Sequence, residues 1–124
     1  MTRTPIRWTT VCLDCPDAHA AAEFYCRLLG WETTVTEPDW VLVRDPAGGV
    51  GLSFQSEEQY VAPTWPEAPG EQQKMIHLEV LVDDLPAAVE AALAAGGRLA
   101  DHQPREDLRV VLDPAGHPLC LFTQ

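Results

Sequence analysis

The stretch KMIHLEVLVDD, residues 74–84, contains the best candidates for chemistry, because it places an imidazole two positions before a carboxylate. Side chains alternate between the two faces of a β-strand, so His77 and Glu79 share one face. The other face is apolar: Leu78, Val80 and Val82. Imidazole titrates near neutrality and a carboxylate can orient it, so His77 and Glu79 are candidate catalytic residues for acid–base chemistry. The same pair could bind an organic ligand, bind a metal, or only satisfy each other's polar groups.

Composition limits the classes of partner. The chain has 124 residues, 46% of them hydrophobic, which suits one compact domain. Its formal net charge of -11 repels phosphate backbones and anionic lipids, so we expect neither nucleic acid nor a membrane surface as a partner. The sequence contains no apolar run long enough for a membrane span and no secretory signal pattern. A cytoplasmic protein is therefore expected.

The four cysteines predict free thiols rather than a disulfide framework. They are Cys12, Cys15, Cys26 and Cys120. Cys12 and Cys15 form a CxxC pair, but a spacing of three along a strand puts them on opposite faces. We therefore expect neither a redox pair nor a zinc site there.

The first half of the chain predicts the order βαβββ. A β-branched and apolar run over 4–14 predicts a strand, and Asp17 is a suitable N-cap for a helix that ends at Gly30. The predicted elements are a strand at 4–14, a helix at 18–29, and strands at 32–36, 40–44 and 51–55. Turn signals at 38–39 and 45–49 separate the last three strands.

The second half repeats this order. It predicts a strand at 74–84, a helix at 86–95 with Asp84 as N-cap, and strands at 98–101, 108–113 and 119–123. The halves align: Leu13 with Val82, Asp45 with Asp113, and Ser53 with Cys120. The turn DPAGG at 45–49 returns as DPAGH at 113–117. Two copies of one supersecondary unit predict pseudo-twofold symmetry.

The paired βαβββ units, the segment LDCPDAHAAAEFYCRLLGWE and the two DPAG turns resemble the glyoxalase/bleomycin-resistance/extradiol-dioxygenase superfamily, also called vicinal oxygen chelate (VOC) proteins. The resemblance covers nearly the whole chain. It implies an α+β fold in one glyoxalase-like domain, 1–124, with βαβββ modules at about 4–56 and 74–124. Their curved sheets would enclose a cavity with the helices outside. Because such proteins commonly pair, we also expect a homodimer.

The resemblance further implies four metal-ligand positions, one on the first and one on the last strand of each module. In this sequence they are Thr10, Ser53, His77 and Cys120, and only His77 matches the usual histidine and glutamate set. Hydroxyl groups are weak ligands for divalent ions. We therefore expect no cofactor; if a divalent metal binds, His77, Glu79 and Cys120 are the residues to hold it.

Strand parity gives the remaining residues of the implied cavity. The candidate ligand-binding residues are Trp8, Thr10, Cys12, Ser53, Gln55, His77, Glu79, Cys120 and Phe122, with Gly51, Leu81 and Pro118 on the same faces. A lining of this kind, mostly apolar with a few polar groups, is typical of a pocket for a small organic molecule. The acidic chain favours a neutral or cationic ligand.

The segment 57–73 links the two modules and is rich in proline and acidic residues. Tyr60 and Trp65 lie in it, and aromatic side chains are costly to leave in water. We expect the linker to use Trp65 as an anchor at the cavity mouth or against a second subunit, or simply to pack on its own module. The other histidines, His19, His102 and His117, are expected in exposed or turn positions.

The leading functional prediction is therefore a glyoxalase-like protein that binds a small organic molecule without the usual metal. The alternative is an enzyme. It would be a metal-dependent lyase, isomerase or dioxygenase with a degenerate ligand set, or a metal-free acid–base enzyme that uses His77 and Glu79. The ligand positions distinguish the two classes, and three of the four favour binding.

Overall fold

A computed structural model of the chain describes residues 3–124 and contains two four-stranded sheets, each covered on one face by a helix. In chain order the elements are β1 (Thr10–Cys15), α1 (Ala18–Leu29), β2 (Glu32–Thr36), β3 (Trp40–Arg44), β4 (Gly51–Ser56), β5 (Leu78–Leu81), α2 (Leu85–Ala94), β6 (Arg98–Leu99), β7 (Leu108–Leu112) and β8 (Pro118–Phe122). The chain is thus α+β, in two βαβββ modules, as predicted.

The two sheets have the same topology. The first has the order β1-β4-β3-β2 and the second the order β5-β8-β7-β6. In each sheet the first strand of the module runs parallel to the last, and the other pairs are antiparallel. The duplication predicted from the sequence is therefore confirmed. The sheets are not closed into a barrel.

Side-chain caps begin both helices where the sequence predicts them. Asp17 accepts hydrogen bonds from the backbone N–H groups of His19 and Ala20 at the start of α1. Asp84 accepts one from Ala87 at the start of α2. Gly30 ends α1 with φ of 72°, a left-handed conformation that glycine adopts without a Cβ clash.

The helix-covered faces of the two sheets share one hydrophobic core. Phe24 and Tyr25 of α1 are buried, and the Tyr25 ring stacks on Phe54 of β4 with ring centroids 5.4 Å apart. Gly97, which follows α2, lies so close to Phe24 and Val111 that a Cβ would come within 2.9 Å of the Phe24 ring. The modules therefore pack through their helix sides, and the opposite sheet faces remain open instead of enclosing the cavity that the resemblance implies.

The strand predicted at 4–14 starts later, at Thr10. The partner strand β4 begins at Gly51, which is paired with Thr10, so the residues before Thr10 have no strand to pair with. Trp8 consequently lies outside the strand and is 69% exposed. The prediction that it lies on a strand face was wrong.

The strand predicted at 74–84 is also shorter, because β5 comprises only Leu78–Leu81. Met75 has φ of 61° and the Ile76 N–H bonds back to the Lys74 carbonyl, so the chain turns just before the strand. His77 therefore precedes β5 instead of lying in it. The other boundaries differ from the prediction by at most two residues.

The four cysteines are free thiols, as predicted. Among residues 3–124 no helix is long and apolar enough to cross a membrane.

Candidate functional site

The first module holds five of the predicted ligand-binding residues, beside or within β1 and β4. Thr10 and Ser53 hydroxyls lie 3.2 Å apart and bond to each other. Cys12, the partner of Ser53 in the β1–β4 register, is exposed, and Gln55 is half-buried. Trp8 lies before the strand, where its indole N–H donates to the Thr10 carbonyl at 2.8 Å.

The predicted residues of the second module form a separate group. His77 Nε2 and Glu79 Oε2 are 3.9 Å apart, too far for a hydrogen bond, and the side chains are 36% and 69% exposed. Glu79 is paired with Cys120 across β5 and β8. Glu79, Cys120 and Phe122 line a small cleft of about 220 Å³. Within residues 3–124, no hydrogen bond or ion pair joins this group to the predicted residues of the first module.

The donors at the four implied ligand positions do not fit a divalent cation. The hydroxyls of Thr10 and Ser53 are weak donors that already bond to each other. Burial, and then the nearby charge of Glu79, raises the pKa of the Cys120 thiol, which keeps it protonated at neutral pH. In the part of the chain that the structure describes, no three His, Cys, Asp or Glu side chains converge.

A larger cleft, of about 520 Å³, lies between the end of β1, the linker and the residues just before β5. Of the predicted ligand-binding residues only Cys12 lines it. The complete lining is Cys12, Leu13, Asp14, Glu57, Gln59, Tyr60, Val61, Pro63, Gln72, Gln73, Lys74, Met75, Ile76 and His117. Its volume is within the range of pockets that bind small organic molecules, roughly 300–1,000 Å³.

A chain of hydrogen bonds leads from the core to this cleft through the turn between β7 and β8. Asp113 is buried, and its carboxylate accepts from the Tyr25 hydroxyl at 2.7 Å and from backbone N–H groups of Ala115 and His117 at 2.9 Å. His117 Nδ1 lies 2.7 Å from Asp113 Oδ2. Tyr60 of the linker lies next to the imidazole, with its hydroxyl oxygen 3.3 Å from His117 Nε2.

These contacts determine which atoms carry protons. A carboxylate only accepts, so His117 Nδ1 carries a proton and donates it to Asp113. The Tyr60 hydroxyl donates to the Ala115 carbonyl at 2.8 Å. Burial first, and then the charge of Asp113, raises the pKa of Tyr60, so it remains a neutral phenol. The imidazole is thus held through its Nδ1–H group.

The contact between His117 and Asp113 was not predicted from the sequence. Its repeat partner is Gly49, which favoured an ordinary turn role. The turn is shared by both modules, because Asp45 accepts from the Ala47 N–H at 2.9 Å just as Asp113 accepts from Ala115. The available signal was the one asymmetry between the copies: a histidine four residues after the aspartate in the second turn only.

The linker is attached to the second module at two points. Tyr60 bonds to the turn that carries His117, and Trp65 Nε1 donates to the His102 carbonyl at 3.1 Å. Lys74 lies over the Trp65 ring, 5.4 Å from its centroid, and pairs with Glu67. The stretch between these anchors forms one wall of the cleft.

Comparison with known proteins identifies the family. The family model described as "Glyoxalase-like domain" matches residues 10–122. No curated protein matches the chain. Among solved structures it is similar to a glyoxalase-related enzyme from Fulvimarina pelagi, with 21% identity, TM-score 0.68, and coverage of 95% of this chain and 88% of that one.

Two further structures are similar over nearly full length. A glyoxalase/bleomycin resistance protein/dioxygenase family enzyme from Burkholderia phytofirmans PsJN has 17% identity, TM-score 0.69, and coverage of 93% and 96%. TnmS3, an antibiotic binding protein from Streptomyces sp. CB03234, has 16% identity, TM-score 0.62, and coverage of 98% of each chain. At these identities the likeness concerns the fold. The chain belongs to the glyoxalase-like domain family, within the VOC superfamily.

Proposed function

We propose that this protein binds a small organic molecule in the larger cleft, between β1, the linker and the start of β5. One observation carries the proposal: a cleft of about 520 Å³ in which an imidazole, held from behind by a buried carboxylate, faces a partly apolar wall. A concave, mostly apolar surface with a few fixed polar groups is the usual form of a ligand site.

The two sides of the cleft have different tasks. The apolar residues, which supply contact area for the body of a ligand, are Leu13, Val61, Pro63, Met75 and Ile76. His117 and Tyr60 supply polar groups whose positions are fixed by Asp113 and Ala115. Fixed polar groups lower the ordering cost of binding, so they favour orientation and specificity.

The proposed binding function also agrees with the function of one structural neighbour. TnmS3 is an antibiotic binding protein, and it has the same fold over nearly its whole length. Fold alone does not determine function, since one fold hosts many activities. The neighbour therefore supports binding as a role that this architecture can perform, and the cleft provides the local argument.

A blocked variant tests the proposal. Val61 lines the cleft and is 62% exposed, so Val61→Trp fills the cleft without disturbing the core. Val50→Trp, at another exposed valine outside the cleft, is the matched control. Compounds that raise the melting temperature of the wild type should also stabilise the Val50→Trp variant and should lose their effect on Val61→Trp. Equal stabilisation of both variants would refute binding in this cleft.

We also propose a homodimer that uses the open sheet faces. Leu81 of β5 is 52% exposed on the face opposite the core. A second copy would cover such a side chain, which otherwise stays in water. Sedimentation should give a dimer at micromolar concentration, and Leu81→Glu should shift it toward monomer. A monomeric wild type would contradict this.

The catalytic alternative has less support. His77 and Glu79 are solvent-exposed and do not form a hydrogen bond. The positions implied for a metal carry donors that do not fit one. We therefore derive no reaction step from either set of residues.

A further inference from the structure

We propose that the ligand of the larger cleft is a small organic cation, an ammonium or guanidinium group on an apolar body. This inference rests on the binding function proposed above. It comes from the hydrogen-bonding groups of the cleft, which leave acceptors free while the strongest donors are already engaged within the protein.

The charged and phenolic donors of the cleft are engaged. Lys74 is the one lysine of the sequence, and its ammonium group pairs with Glu67 and lies over the Trp65 ring. The Tyr60 hydroxyl donates to the Ala115 carbonyl. The Gln72 side-chain amide donates to the Gln73 carbonyl at 3.0 Å. An anionic ligand would have to share Lys74 with Glu67 or rely on neutral amide donors.

Hydrogen-bond acceptors remain free on other residues that line the cleft. Asp14, near the end of β1, and Glu57, at the start of the linker, both line the cleft and are exposed. Within residues 3–124, neither carboxylate forms an ion pair. The Tyr60 oxygen has lone pairs left after its proton is donated. The neutral amides of Gln59 and Gln73 can serve in either direction.

The negative charge of the cleft also favours a cationic ligand. Asp14 and Tyr60 both line the cleft, and Asp14 contributes to the raised pKa of Tyr60 after burial, Asp113 and Cys15. The chain as a whole carries a formal charge of -11, which attracts cations and repels anions during association. A carboxylate or phosphate ligand would meet like charges at Asp14 and Glu57, whereas an ammonium group would pair with them.

Three probes of nearly equal size separate the possibilities: phenethylamine, 2-phenylethanol and phenylacetate. Their binding can be followed by protein-observed NMR at pH 7.5 and low salt. We expect phenethylamine to shift the amide signals of Asp14, Val61 and His117 at lower concentration than the other two. Salt should weaken its binding, because exposed charges are screened.

Charge-removing variants give the control. Asp14→Asn should weaken phenethylamine binding roughly two- to fivefold, as expected for an exposed ion pair, and leave 2-phenylethanol unchanged. Asp83 aligns with Asp14 in the repeat and does not line the cleft, so Asp83→Asn should have no effect. If phenylacetate or 2-phenylethanol binds the cleft as tightly as phenethylamine, the cationic ligand class is wrong and the binding function stands. If none of the probes shifts the cleft signals at millimolar concentration, both proposals fail.

Discussion

The Tyr25 hydroxyl donates to Asp113 Oδ2 at 2.7 Å, which joins α1 of the first module to the β7–β8 turn of the second. Both side chains are buried. The same carboxylate oxygen faces His117 Nδ1 at 2.7 Å. The position of an imidazole in the cleft is therefore set by the packing between the two modules, and the core and the site share one residue.

Removing the Tyr25 hydroxyl should lower the stability of the protein. Tyr25→Phe keeps the stacked ring and leaves the buried carboxylate with one donor fewer, so we expect the free energy of unfolding to fall by about 1.5–3 kcal/mol. Urea denaturation measures this. Tyr60→Phe is the control: its hydroxyl bonds a neutral carbonyl in a half-buried position, and the expected loss is about 0.5–1.5 kcal/mol. A smaller loss in Tyr25→Phe than in Tyr60→Phe would contradict the role of Asp113 as the link between modules.

Stability should decline at alkaline pH. Burial raises the pKa of the Cys15 thiol from 9.0 to about 11, and it also raises the pKa of Tyr25. The unfolded chain therefore loses these protons at lower pH than the folded one. The stabilisation from Cys15 is complete below pH 9 and is lost as the pH rises to about 11.

Urea unfolding at pH 7.5, 9 and 10.5 measures this decline, and Cys15→Ser supplies an isosteric control that does not titrate in this range. The slope of stability against pH between 9 and 10.5 should be shallower in Cys15→Ser. Parallel curves for the two proteins would show that Cys15 does not contribute.

The linker should depend on Trp65. Trp65→Ala removes the bond to the His102 carbonyl and the surface on which Lys74 lies, so residues between 57 and 73 should open more often. Limited proteolysis with a protease of broad specificity should cleave this segment several-fold faster than in the wild type. Trp31→Ala, at a half-buried tryptophan outside the linker, tests whether any loss of an aromatic residue has this effect. Equal cleavage of the linker in wild type and Trp65→Ala would show that Trp65 is not an anchor.

Divalent metals should not stabilise the protein specifically. A metal that binds only the folded state raises the melting temperature in a concentration-dependent way. With hydroxyls at two of the implied positions and a protonated thiol at a third, we expect nickel, zinc, manganese and iron(II) to have the same small effect on wild type and on His77→Ala. A stabilisation of the wild type that His77→Ala abolishes would instead support a metal enzyme.

Local sequence signals predicted the order of the helices and strands and the ends of the helices well. The N-caps Asp17 and Asp84 and the stop at Gly30 are decided by nearby backbone groups, so their effect is visible in the sequence. The alignment of Leu13 with Val82 predicted the duplication, because a repeated residue pattern is also visible in the sequence. Both long strands were overextended, because the ends of a strand depend on its partner and on turns such as that at Met75.

The candidate site could not be predicted in the same way. Strand parity cannot place His77, which precedes β5, and it does not indicate whether the two modules turn the faces of Glu79 and Ser53 toward each other. The contact between Tyr60 and His117 joins residues 57 positions apart through a long linker, and no periodic pattern specifies such a contact. The cleft therefore became visible only with the tertiary structure.

Chemical-shift mapping of a bound ligand by NMR tests the central claim most directly. With a compound that stabilises the wild type, we expect the largest amide shifts at Val61, Met75 and His117, around the larger cleft. Signals at Glu79, Cys120 and Phe122, which line the smaller cleft, should change little. The reverse pattern would contradict this account and would locate the site on the sheet face that strand parity predicts.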